Sequence, residues 1–63
     1  NMGNKKIIIL DFSTAEVHVF PYDENVWDDG EDFIEDENEN GDIALSLSNC
    51  QWMIVDDLKI EIH

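Results

Sequence analysis

Asp36-x-Asn38-x-Asn40-Gly41-x-Ile43 is the stretch of this 63-residue chain whose spacing comes nearest to a chemical device. Oxygen-bearing side chains at positions one, three and five, glycine at six and an apolar residue at eight match a calcium-binding loop. Asp36, Asn38, Asn40 and Asp42 would line such a site, and weak Ca²⁺ binding is one expectation. The match fails at position twelve, where Leu47 stands in place of a bidentate carboxylate. A polar helix stop inside an acid-rich stretch explains the same residues and is the stronger account. No other cofactor is expected.

The remaining ligand and nucleophile types are sparse. Zinc needs three or four ligands at usable spacing, and Cys50 with His18 and His63 is a poor match. Cys50 lies in an apolar stretch, where a free cysteine behaves as a small buried hydrophobe. His18 alternates with Val17 and Val19 and should face solvent or a cross-strand partner. Paired carboxylates could act as acid and base, but so many acids crowd together that no pair is singled out. A chain this short has little room for a pocket of several hundred Å³. It reads as non-enzymatic.

Charge is the most informative feature. Sixteen Asp and Glu oppose three lysines and no arginine, giving a net charge of −13. Eleven of the acids lie between residues 23 and 42 without a base among them. Direct nucleic-acid binding and an anionic membrane surface are excluded as partners. No apolar run exceeds four residues, so no transmembrane helix is expected. A lone cysteine forms no internal disulfide, which suits the cytoplasm. Asn1 precedes Met2, so Met2 reads as the start, and residues 2–63 are expected to make one small domain.

The elements follow from periodicity. Lys5–Phe12 is β-branched and continuously apolar at its centre, and Glu16–Phe20 alternates, so the two predict an antiparallel hairpin ended by Pro21. Asp23 or Asn25 is expected to cap a helix whose stripe is Val26, Trp27, Phe33 and Ile34. Gly30 on that stripe costs about 1 kcal/mol of helix propensity and should mark close approach to the sheet. Asn38–Gly41 should stop the helix. Residues 43–47 are a weak strand or extended lead-in, Cys50–Val55 is a third strand, Asp56-Asp57 a turn, and Leu58–His63 a final alternating strand. Trp27 and Trp52 fall in periodic segments and should pack in the core. The expected fold is α+β, a ββαββ domain with a four-stranded antiparallel sheet and one acidic helix on one face.

Ser13-Thr14-Ala15-Glu16-Val17-His18-Val19, Asn49-Cys50-Gln51-Trp52-Met53 and Leu58-Lys59-Ile60 resemble short uncharacterised proteins of intestinal Bacteroidetes and their mobile elements. The resemblance spans most of the chain. It implies no catalytic motif.

Two functions fit these features. One is an interaction or accessory protein whose acidic face, Asp28, Asp29, Glu31, Asp32, Glu35 and Asp36, solubilises the core or docks on a basic partner. The other is a mimic of DNA that occupies a nucleic-acid-binding protein. Eight acids within residues 28–39, on a helix rising 1.5 Å per residue, approach the one charge per about 1.7 Å of a duplex. Ile7–Leu10 and Trp52–Val55 put apolar side chains on both sheet faces, whereas one helix covers one face, so a homodimer through the open face is expected. The alternative is that residues 43–48 fold over that face. Mutual repulsion of the acids is expected to raise their pKa values, so that stability grows with salt and falling pH.

Overall fold

The computed structural model of the chain describes residues 5–41 and 43–63. Two strands, β1 (Lys5–Asp11) and β2 (Glu16–Tyr22), form the expected hairpin, with Asp11 opposite Glu16, Ile9 opposite His18 and Ile7 opposite Phe20. The four-residue connection closes on Ala15 at φ 59°, and Ser13 N–H donates to Asp11 Oδ1 at 3.0 Å. A third strand, β3 (Cys50–Val55), adds antiparallel to the other side of β1, placing Trp52 opposite Ile9 and Cys50 opposite Asp11. The order is β2-β1-β3. The strand that carries the Ile7–Leu10 run is therefore the central one.

One helix, α1 (Gly30–Asn40), lies on the face that carries Ile7 and Ile9. It begins later than the stripe predicts. Residues 23–27 form a separate turn in which Val26 and Trp27 N–H groups donate to Asp23 O, and Asn25 N–H to Asp23 Oδ1. Asp23 thus caps a turn, and Val26 is left exposed. The helix cap is Asp29, whose carboxylate accepts from Asp32 N–H at 2.9 Å. A carboxylate next to free N–H groups at a helix start is the favoured arrangement. Gly41 ends the helix as expected, its N–H donating to Glu37 O at 2.8 Å.

Phe33 and Ile34 drive into the core formed by Ile7, Ile9, Tyr22, Leu45 and Cys50. Trp27 packs edge-on to Phe33 with ring centres 4.8 Å apart, and its carbonyl accepts from Tyr22 Oη–H at 3.0 Å. Phe20 completes this aromatic group, 5.3 Å from Phe33. Trp52, expected in the core, is outside it: its ring lies against Gly30 at the start of α1 and stays 37% exposed. A methyl on Gly30 would overlap the Trp52 indole.

Residues 43–46 form no strand. They run extended into a 3-10 turn at Leu47–Asn49, with Leu45 buried in the core. Asn38 holds them there: its Oδ1 accepts from Leu45 N–H and its Nδ2 donates to Leu45 O, at 2.6 and 2.8 Å. The segment lies on the helix side of the sheet and leaves the other face uncovered. Residues 58–63, expected as a fourth strand, carry no regular structure, and Ile62 is 93% exposed. The structure is thus a small α+β domain with one helix and a three-stranded antiparallel sheet. Asp56-Asp57 lacks the glycine that lets a two-residue hairpin turn adopt positive φ, and Lys5 Nζ bonds Asp56 at 2.6 Å, tying the chain back to β1.

Gly30→Ala tests the close approach. Helix propensity alone would favour alanine by about 1 kcal/mol. The overlap with Trp52 should instead cost about 1–3 kcal/mol, read as a lower urea midpoint.

Candidate functional site

The acids of α1 divide into two groups. Asp29 is the cap, and Asp32 Oδ2 accepts from Asp28 N–H at 3.1 Å, closing the start of the helix. Asp36 accepts from Trp27 Nε1–H at 2.9 Å and from Asn40 Nδ2–H at 2.8 Å. These three build the fold. Asp28, Glu31 and Glu35 are exposed, and Glu39 joins Glu31 and Glu35 at i, i+4, i+8. Residues four apart share a helix face, so Glu31, Glu35 and Glu39 make the outward row. Of the six residues expected on the acidic face, Asp28, Asp29, Glu31 and Glu35 are exposed and Asp32 and Asp36 are half-buried.

The calcium-loop residues are not brought together as a loop. Asp36, Asn38 and Asn40 lie within α1, where residues two apart point to nearly opposite sides. Asp36 is occupied by Trp27 and Asn40, and the Asn38 amide is spent on Leu45. Asp42 lies outside the described residues. The helix continues through what would be the ligand-bearing half of the motif.

The second surface is the sheet face opposite α1. Alternation places Ile8 and Leu10 of β1, Val17, Val19 and Pro21 of β2, and Met53 and Val55 of β3 on it. Leu10 is 41% exposed, Val17 62% and Met53 51%. Lys6 and Gln51 are the only polar side chains that the two registers put on this face. Between Trp27 and the other end of the hairpin runs an open groove of about 500 Å³, lined by Lys5, Lys6, Phe20, Tyr22 and Asp23 among others. Its size exceeds what the chain length suggested. Asp23 is its sole carboxylate among the described residues.

A third grouping escaped the sequence reading. Asp11, Glu16 and His18 place one ligand atom each within 4.8 Å of one another at the loop end of the hairpin. The signal was present: Glu16-x-His18 puts both on one strand face, and a four-residue connection sets Asp11 opposite Glu16. Cys50 sits on the other side of Asp11, buried, its thiol pushed up by burial and then by the Asp11 charge. It is an inert core residue, as expected.

No protein-family model, curated protein or solved structure matches the chain. Among the described residues no helix is long and apolar enough to cross a membrane.

Asp36 runs against the expectation that repulsion raises these carboxyls. The Trp27 indole N–H, then the Asn40 amide, hold it below the usual aspartate value. A group depressed in the fold stabilises above its unfolded pKa, and that contribution disappears as pH falls through the folded value. Asp36→Ala should therefore melt lower than the parent at pH 7, with the gap closing below about pH 4. A gap unchanged down to pH 2 would contradict this.

Proposed function

We propose that the chain is a non-enzymatic interaction protein that works as a homodimer, two copies meeting through the open sheet face and each turning its acidic helix outward. The observation that carries this reading is the row of exposed apolar side chains Leu10, Val17, Val19 and Met53 on the face away from α1. The 43–48 segment that could have covered them is pinned to the helix side through Asn38. A second copy is the occupant because this face is apolar apart from Lys6 and Gln51 and so matches itself, and two-fold pairing is the commonest way to close such a surface. Burying roughly 500 Å² of apolar area per chain contributes on the order of 10 kcal/mol before association entropy is subtracted. A 63-residue domain gains much of its stability that way.

Electrostatics are compatible with self-association despite the −13 charge. Packed sheets lie about 10 Å apart and each helix layer about 10 Å beyond its sheet. The two acidic rows would be separated by about 30 Å, several times the Debye length of about 8 Å at physiological ionic strength. Residual repulsion is screened further by salt. Sedimentation equilibrium at micromolar concentration should give twice the 7.3 kDa chain mass, with tighter association in added NaCl. Val19→Lys with Met53→Lys should yield a folded or marginal single chain; an unaltered dimer mass would overturn the assignment of the face, and a monomeric parent the dimer itself.

The outward row of Glu31, Glu35 and Glu39 supports a second reading, a mimic of DNA presented to a nucleic-acid-binding protein. It repeats every four residues, or about 6 Å of helix rise. Replacing these three with Gln, which spares the capping Asp29 and Asp32, should abolish competition with duplex DNA for a basic DNA-binding protein. Equal competition by the neutral variant would rule mimicry out. Cytoplasmic residence belongs with either reading, on the strength of the lone reduced cysteine.

A further inference from the structure

We propose that Asp11, Glu16 and His18 form a binding site for a divalent transition-metal ion, zinc by ligand chemistry, at the loop end of the β1–β2 hairpin. The three come from a register that leaves little freedom. Glu16 and His18 are two apart on β2 and so share its helix-side face, and Asp11 is the direct cross-strand partner of Glu16 on the same face. Their ligand atoms already lie within 4.8 Å of one another. His18 Nε2 and Glu16 Oε1 are 3.5 Å apart. Two ligands at zinc distances of about 2.0–2.1 Å in a tetrahedral shell stand about 3.4 Å from each other. One edge of the coordination shell is thus at its working length; Glu16 Oε1 also accepts from Thr14 Oγ1–H at 2.9 Å, an exposed bond that an ion would replace.

Charge gives the independent reason to expect a cation. Asp11 is 7% exposed, yet its only hydrogen-bond donor among the described residues is the Ser13 N–H, which reaches Oδ1. Like charges directly opposite in a sheet are destabilising, and a buried carboxylate without a counter-charge is costly. None of the three lysines answers it. Lys5 is bound to Asp56, Lys59 to Glu61, and Lys6 projects from the other face of β1. A proton on His18 would bring one positive charge to two carboxylates. A divalent ion balances both and uses the imidazole nitrogen as its third ligand. One nitrogen and two oxygens suit zinc, where three protein ligands leave a further position open to water. Glu16 lies at the exposed rim, so that position faces solvent.

The site is remote in character from the acidic helix, and the experiment must separate the two. Metal-free protein is titrated with Zn²⁺ in millimolar Mg²⁺, which occupies the diffuse carboxylate surface. Calorimetry should show one ion per chain, and the imidazole NMR signals of His18 should shift to saturation while those of His63 do not. His18→Gln, at a half-buried position, and Glu16→Gln should each lose the one-ion heat with an unchanged circular dichroism spectrum; His63→Gln should keep it. Zinc heat retained in His18→Gln, both histidines shifting together without saturation, or no heat at all would overturn the proposal.

Discussion

A central strand with four consecutive apolar residues places large side chains on both faces of its sheet. Ile7, Ile8, Ile9 and Leu10 point alternately to the two faces of β1, and this alternation sets what every other part of the chain has to do. The helix side is sealed by Phe33, Ile34, Leu45 and the aromatic group around Trp27. On the other side Ile8 is 6% exposed only because its own neighbours shelter it, and those neighbours face water. The chain has spent its one helix and its one long connection on the same face.

That economy explains why so acidic a segment can fold onto a core at all. Three carboxylates are matched to N–H donors: Asp29 and Asp32 to the backbone at the helix start, Asp36 to an indole and an amide. Such charge-assisted bonds are stronger than neutral ones. Trp27 links the layers, since its ring packs on Phe33, its carbonyl takes the Tyr22 hydroxyl and its N–H holds Asp36. Glu31, Glu35 and Glu39 on the outward row are exposed and solvated by water.

Several of these features were legible from residue types. The hairpin, the third strand, the approach at Gly30 and the helix stop at Gly41 follow from β-branching, Pro21, an out-of-place glycine and turn residues, all local signals. The helix start was misread because Val26 and Trp27 fit the helical spacing of Phe33 and Ile34, whereas Asp23 closes its own turn first and Asp29 is the better cap. The last strand was misread because alternation at Leu58, Ile60 and Ile62 states which face a strand would bury, not whether an edge is available to pair with it. The calcium motif failed for a related reason. Its letters carry no information on whether the helix has ended, and here it has not.

The hairpin-end cluster shows what pairing adds to a one-dimensional reading. Asp11, Glu16 and His18 look unrelated along the chain, and isolated they predict solvated polar residues. Once the four-residue connection fixes Asp11 against Glu16, the three converge on the helix side of the sheet. The apolar surface lies on the opposite side, so a cation at the hairpin end and a second copy on the open face would not compete. Both would act on the same hairpin. A cation there would tie the loop ends of β1 and β2 together, and those strands carry Leu10, Val17 and Val19 on the open face. Ordering the hairpin before association would lower the entropy that the proposed association must overcome, and the two proposed surfaces would then be coupled through the stiffness of one element rather than through contact.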